Sequence, residues 1–589
     1  METMERNKLK IALVSSFTLD NFSKVLVNSC SRENLSIEMK YRTSYNLGVP
    51  ELANIASDIS AFNPQILFFF IDLKTFIPHH LRILWKSKEE KENIINEKAA
   101  FLKELAQMFV KSHPNTIIVI HNFEVPSYSP LGILDNKEDL GMKTIVRELN
   151  HQLEKQFKNE KSIFVFDYDA FLSAHGKKNS CDQRLHYIAD MKLHSELFPF
   201  LADEYLSYIK ALAAKPRKCI VLDLDNTLWG GIIGEDGFDK IKLGPTPPGN
   251  AFVEFQEVLL SLFHRGIILA VNSKNNPEDV LQVLRDHPHM VLREQHFSAL
   301  RINWQDKAAN IKEIADELNI GTDSMVFIDD DKHNCLLVKS ALPEVLTILL
   351  PDDPSLYVET LTQLNEFNTF QLTEEDALRS KSYAEERQRR KLREQFSDAH
   401  DFLRNLHMKA TIKQADNFTI PRISQLTNRT NQFNLTTRRY SEADISQFHN
   451  DPAYYVCSIQ AEDKLGDSGI VGAAIMKYGH DSAVIDTFLM SCRVLGRQIE
   501  TVLLHHLLEQ AKSSGVTQVI GEYIPTTKNA QTKDFYKDHG FSFHRDEQSS
   551  SLWHLDLTEY AASCPDFIEI ITEQDAIGQE ERKKIKLNR

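Results

Sequence analysis

The sequence predicts a multidomain α/β protein: a parallel-sheet domain over residues 1–214, a second parallel-sheet domain over 215–370, a charged helical linker over 371–399, an α+β domain over 400–560 and a charged tail over 561–589. Three observations carry this. Short apolar runs alternate with helix-length segments in the first 212 residues, as βα units require. A second set of apolar runs, from about 217 to 360, ends repeatedly in carboxylates or hydroxyls. From about 400 onward an apolar strand leads through a glycine-bearing turn into an amphipathic helix.

In chain order, Ile11-Ala-Leu-Val14, Ile66-Leu-Phe-Phe-Phe70, Ile117-Ile-Val-Ile120 and Ile163-Phe-Val-Phe166 are the strands of the first domain. Their near-continuous apolar character suits strands covered on both faces. A short basic link, Lys215-Pro-Arg-Lys218, leads to Val221-Leu-Asp-Leu-Asp-Asn-Thr-Leu-Trp229, Ile267-Ile-Leu-Ala-Val-Asn-Ser273 and Met325-Val-Phe-Ile-Asp-Asp-Asp331, with a helix opening at Lys307. The segment from Thr373 to Phe396 is helical in pattern, and Arg387, Arg389, Arg390, Lys391 and Arg393 crowd its last turns. Such a charge run reads as a solvated linker helix, with docking of an acidic partner as the lesser option. In the last domain Ala483-Val-Ile-Asp-Thr-Phe-Leu-Met490 is a strand, Ser491-Cys-Arg-Val-Leu-Gly-Arg497 a turn, and Ile499 to Lys512 a helix.

Composition narrows the function classes. The hydrophobic content of 42% over 589 residues supports well-formed cores, and the net charge of −15 argues against a general nucleic-acid binder. No apolar run has the length of a membrane span, and the first residues lack the apolar core of a signal peptide, so a cytoplasmic protein is expected. Cys30, Cys181, Cys219, Cys335, Cys457, Cys492 and Cys564 show no paired spacing of metal or disulfide type.

The chemistry concentrates at Asp223 and Asp225. Two carboxylates delivered together at a strand end repel each other unless a cation neutralises them, and magnesium is the natural partner. Ser273, Lys307 and the Asp329-Asp330 pair sit at further strand or helix ends, where ligands bind in doubly wound sheets. In this order the parts resemble the four motifs of the haloacid-dehalogenase-like (HAD) phosphatase superfamily. The resemblance implies that Asp223 is a nucleophile forming an aspartyl phosphate and Asp225 a general acid and base. It also implies that Ser273 and Lys307 hold the phosphoryl oxygens, with Asp223, Asp225, Asp329 and Asp330 around Mg2+. The spacings from Asp223 to Ser273 and from Ser273 to Lys307 leave little room for a large cap domain.

The strand, turn and helix of the last domain resemble the pantetheine pyrophosphate loop of GNAT acyltransferases, an anion site at a helix amino end. Gln498 stands where that pattern has a small residue. Arg493, Gly496 and Arg497 would contact the pantetheine arm. The first domain, with Val14-Ser-Ser-Phe17 early and Asp190 and His194 late, is similar to SGNH hydrolases. It has no Gly-Asp-Ser, and a structural or carrier-docking role is expected of it.

Taken together, Leu222-Asp-Leu-Asp-Asn-Thr-Leu-Trp-Gly-Gly-Ile-Ile-Gly-Glu-Asp-Gly237, Ser273-Lys-Asn-Asn276, Thr430-Asn-Gln-Phe-Asn-Leu-Thr-Thr-Arg-Arg439 and Ser491-Cys-Arg-Val-Leu-Gly-Arg497 resemble the FkbH-like family over most of the chain. That family commonly reads Asp-Asp-Asn-Pro-x-Glu near the metal, where this chain has Asp329-Asp-Asp-Lys-His-Asn334, with Asp331 an added carboxylate nearby. The resemblance implies a bifunctional glyceryl transferase and phosphatase of polyketide-type biosynthesis. It would take 1,3-bisphosphoglycerate, remove phosphate and load glyceryl as a thioester onto an acyl carrier protein, which supplies the phosphopantetheine. Cys492 is then the candidate thiolate nucleophile, and its base is left open, with His505 and His506 nearby in sequence. The alternative is a phosphatase of another phospho-substrate, with an acyl-CoA-dependent acyltransferase domain.

Overall fold

The computed structural model describes residues 8–44, 49–213, 217–372, 374–491, 494–526, 528–547, 550–558, 560 and 564–572. The chain divides into two compact units, Met1–Arg217 with Leu364–Leu372, and Lys218–Gln363 with Thr373–Arg589.

In the first unit β1 (Leu9–Ser15), β2 (Ile37–Thr43), β3 (Ile66–Phe70), β4 (Ile117–His121) and β5 (Ile163–Phe166) form one parallel sheet in the order β2-β1-β3-β4-β5. All five residues of β3 are buried, because apolar clusters lie on both faces of the sheet. β2 was not among the strands read from sequence. Only Ile37 of its seven residues is buried, so an edge strand of mixed polar character gave no apolar run to detect. Residues 364–372 also belong to this unit rather than to the 215–370 domain. Glu366 accepts from Lys210 at 2.9 Å, Asn365 accepts from Ser207 at 2.8 Å, and the Phe370 ring lies 5.0 Å from that of Phe164.

The second unit holds two sheets. β6 (Cys219–Leu222), β7 (Ile268–Ser273), β8 (Phe297–Ile302), β9 (Met325–Asp329) and β10 (Leu346–Leu349) are all parallel, in the order β10-β9-β6-β7-β8. The order reverses between β6 and β9, and the crevice beyond their carboxyl ends is the ligand position in such sheets. Residues 224–248 contain one four-residue helix, Ile233–Asp236, so no cap domain forms there.

The other sheet comprises β11 (Met408–Gln414), β12 (Tyr454–Asp463), β13 (Gly466–Tyr478), β14 (Ser482–Met490), β15 (Gln518–Tyr523), β16 (Ser542–Glu547), β17 (Ser550–Asp556) and β18 (Ile568–Thr572). Its order is β16-β17-β15-β14-β13-β12-β11-β18. The α+β arrangement expected here is present, with β14 leading to the helix Ile499–Ser513. β14 and β15 pair in parallel only over 482–485 and 518–521. Beyond that they part, and the wedge is filled by the chain itself: Leu435 N–H donates to Phe488 C=O, Met490 N–H to Phe433 C=O, and Ile524 N–H to Leu435 C=O. β18 falls in the segment read as a charged tail; five residues there pair with β11 in parallel.

The helix Glu374–Arg393 differs from a solvated linker. Arg389, 3% exposed, forks onto Asp463 with Nε to Oδ2 at 2.7 Å and Nη2 to Oδ1 at 2.9 Å. Arg497 joins Asp463 at 3.3 Å and also pairs with Glu386, while Arg387 and Lys391 pair with Glu294 and Arg390 with Glu317. A charge run looks the same in sequence whether water or carboxylates solvate it. Asp463→Ala would leave two buried guanidinium groups without their shared carboxylate, so unit 2 is expected to lose about 3–5 kcal/mol in urea unfolding. A loss below about 1 kcal/mol would show that the network is not structural.

Candidate active site

Four buried apolar residues of β6 carry the chain to Asp223, whose N–H donates to Ile328 C=O on β9 at 3.0 Å. The strand ends at Leu222, so the two aspartates converge through the following turn and not through the strand's pleat. Asn226 takes a left-handed backbone, φ 53°, and its side chain accepts from Gly231 N–H at 2.8 Å. That turn returns Trp229 and Ile233 to Asp225. Its Oδ1 accepts from the indole N–H at 2.9 Å and from the Ile233 N–H at 3.1 Å, and its Oδ2 accepts from Asn275 Nδ2 at 3.0 Å. Burial nevertheless pushes the Asp225 carboxyl above the usual range, against those hydrogen bonds.

Lys307 opens its helix as expected, and its ammonium lies 2.9 Å from Asp223 Oδ1 and 2.5 Å from Asp329 Oδ2. All three side chains are nearly excluded from water. Asn272 and Asn310 fix the start of that helix: Asn272 Nδ2 donates to Lys307 C=O at 2.9 Å, and Asn310 Nδ2 donates to Asn272 Oδ1 at 3.0 Å. Ser273, buried at the end of β7, accepts from Asn275 Nδ2 at 3.1 Å. Asn275 therefore joins Asp225 to Ser273. Its place within Ser273-Lys-Asn-Asn276 gives it no evident role in sequence; the turn after β7 gives it its reach.

Asp223, Asp329 and Asp330 each place a carboxylate oxygen within 4.8 Å of the others. Burial and the neighbouring Asp223 raise Asp329, and burial with Asp223 and Asp329 raises Asp330 to about 7. Three carboxylates against one ammonium leave an excess of negative charge, and Asp223 Oδ1 receives no aligned hydrogen bond. The donor set fits one divalent cation with oxygen preference. Two sequence expectations change here. Asp225 is outside the cluster of carboxylate oxygens; its Oδ1 accepts from Trp229 and Ile233 and its Oδ2 from Asn275. Asp331 caps the helix Lys332–Ala341, its Oδ1 accepting from His333 and Asn334 N–H, and it is not part of that cluster.

On the transferase side, Cys492 and Arg493 lie outside the described residues. Gly496 has φ 77° and Gln498 φ 61°, so a glutamine holds the left-handed position before the helix. Arg497, expected on the pantetheine arm, is 7% exposed and committed to Asp463 and Glu386, because burial makes pairing obligatory. His506 Nε2 meets Tyr455 OH at 2.8 Å, and burial lowers its pKa to about 4. His505 keeps a buried Nδ1 without a hydrogen-bond partner.

In unit 1 the early serine, late Asp and His do not assemble. Ser16 Oγ donates to Asp72 Oδ2 at 2.9 Å, Lys192 bridges Asp72 at 2.7 Å and Asp190 at 3.2 Å, and His194 Nδ1 accepts from Glu196 N–H. The Lys192 ammonium holds Asp72 below the usual carboxylate range against its burial, which makes it a poor base for Ser16.

The fold and site define a multidomain α/β protein with a carboxylate-rich HAD-like centre. Residues 10–210 match the family model described as FkbH, N-terminal domain; the motifs that carry the sequence resemblance follow that stretch in the chain. A crystal structure of the N-terminal part of protein BF1531 from Bacteroides fragilis, described as containing a phosphatase domain and complexed with Mg, is 28% identical. It covers 63% of this chain and 96% of its own, with a TM-score of 0.57. The ribosomal-protein-S18-alanine N-acetyltransferase of Escherichia coli is 16% identical over 26% of this chain and 98% of its own, with a TM-score of 0.21. The GNAT domain of S. lividans PAT is 16% identical over 25% of this chain and 89% of its own, also at 0.21. No curated protein sequence matches the chain.

Removing the ammonium from between two buried carboxylates is costly. Lys307→Met is expected to destabilise unit 2 by about 3–5 kcal/mol in EDTA, and added Mg2+ should recover more stability in the variant than in wild type. Equal melting of the two proteins without metal would contradict the assigned charge balance.

Proposed function

We propose that the chain is a two-site enzyme of the FkbH type. A HAD-type phosphatase centre at Asp223 acts with a thiol-based acyl transfer centre at Cys492 to convert 1,3-bisphosphoglycerate into a glyceryl thioester on an acyl carrier protein. The observation that carries this reading is the cluster of Asp223, Asp329 and Asp330 around Lys307 at the β6/β9 crevice, in a chain whose residues 10–210 match the FkbH N-terminal domain. The Mg bound to the similar Bacteroides fragilis phosphatase domain supports Mg2+ as the cation.

In the proposed phosphatase half-reaction a carboxylate oxygen of Asp223 attacks the phosphate ester. The P–O bond to the glyceryl group breaks as the Asp223–phosphoryl bond forms, and the Asp225 proton passes to the leaving alkoxide. The raised proton affinity of Asp225 suits that donation. Asp225, now a carboxylate, takes a proton from the water that attacks phosphorus, which releases phosphate and restores Asp223. Ser273 and Lys307 orient the phosphoryl oxygens, and Asn275 keeps Ser273 and Asp225 in register. The divalent cation, held by Asp223, Asp329 and Asp330, would neutralise the charge of the transferring group. In the transfer half-reaction the Cys492 thiolate attacks the acyl phosphate carbon, phosphate departs, and the acyl group passes to the carrier's thiol.

Intact mass of wild type and Cys492→Ala after incubation with Mg2+, enzymatically generated 1,3-bisphosphoglycerate and then holo-carrier protein tests both halves. A glyceryl or phosphoglyceryl adduct on wild type alone, passed to the carrier, is expected. Phosphate release with no adduct on either protein would replace this reading by a phosphatase joined to an acyltransferase that uses another donor.

A further inference from the structure

Outside the Asp223 centre, unit 2 contains a cavity of about 550 Å³ beside β8, the outer strand of its sheet. Pro277, Leu281, Leu300 and Ile302 make one wall apolar. Arg301, Arg387, Arg390 and Lys391 make the other wall cationic, the last three from the helix Glu374–Arg393. The volume falls in the range of small-molecule sites, roughly 300–1,000 Å³.

The cationic wall keeps a surplus of charge after its internal pairing. Glu294 is shared by Arg285, Arg387 and Lys391, Glu317 by Arg301 and Arg390, and Glu313 pairs with Arg301. Five cations thus meet three carboxylates, and the further lining residue Glu394 still leaves a positive balance in a chain of net charge −15. The hydrogen bonds and charges of these cations hold Glu294 down to about 2 despite its partial burial. The Arg390 and Lys391 side chains are 35% and 49% exposed, so they remain able to turn toward an incoming anion without leaving a buried partner unpaired.

We propose that this cavity binds an amphiphilic anion, with a phosphate or carboxylate head on the Arg387–Arg390–Lys391 wall and a short apolar body against Leu281, Leu300 and Ile302. Guanidinium forks suit either head. The site is separate from the phosphatase centre, although Ile302 is the ladder neighbour of Ser273, and it does not rest on the proposed reaction.

Titration calorimetry of the full-length protein in EDTA, with hexyl phosphate, hexanoate, inorganic phosphate and hexanol as probes, tests this. Hexyl phosphate or hexanoate should bind more tightly than both phosphate and hexanol. Arg390→Ala/Lys391→Ala should weaken that binding at least about tenfold, Leu281→Asp should weaken it independently, and Ser273→Ala should leave the binding of hexanoate, which carries no phosphoryl group, unchanged. Equal binding of inorganic phosphate, wild-type affinity in both cavity variants, or loss of hexanoate binding in Ser273→Ala would each overturn the proposal.

Discussion

The Lys307 ammonium is the interaction on which the functional centre depends. Asp223 directly follows β6 and Asp329 ends the neighbouring β9, and the two meet where strand order reverses. Without a cation between them their like charges would oppose the parallel pairing that brings them together. Lys307 supplies that cation from the opposite direction, at the amino end of a helix fixed by Asn272 and Asn310. The same geometry adds Asp330, so three carboxylates share one ammonium. The carboxylates that Lys307 holds together are thus the same ones whose donor set fits a divalent cation.

Around this centre the turn after β6 divides the work. Asp223 stays among carboxylates, whereas Asp225 is wrapped by Trp229, the Ile233 amide and Asn275. Two carboxylates two residues apart consequently occupy different environments, as the separate nucleophile and acid–base roles proposed for them require. Residues 224–248 form no cap domain beside them.

Much of this was legible in the sequence, because strands buried on both faces announce themselves as apolar runs and strand-end carboxylates stand out against them. Asp223 and Asp225 follow β6, Ser273 ends β7, Asp329 ends β9 with Asp330 next, and Lys307 opens a helix of the same domain. What stayed hidden depends on tertiary partners. β2 is an edge strand with a single buried residue, and β18 lies in a segment whose charge outweighs five pairing residues. The Arg-rich helix reads as solvated until Asp463, Glu294 and Glu317 are found against it, and Arg497 reads as a ligand contact until Asp463 claims it. Asn275 could have been suspected only by asking what else the turn after Ser273 can touch.

The central claim is that Asp223 carries the phosphoryl group. Its most direct test is peptide mapping of the Asp225→Asn variant after rapid quenching with a phosphomonoester and Mg2+, because loss of the acid–base group should slow dephosphorylation of the enzyme. A phosphorylated residue at Asp223, absent from Asp223→Asn, is the predicted result. Phosphate release from wild type without any phosphoryl-enzyme at Asp223 would contradict the account.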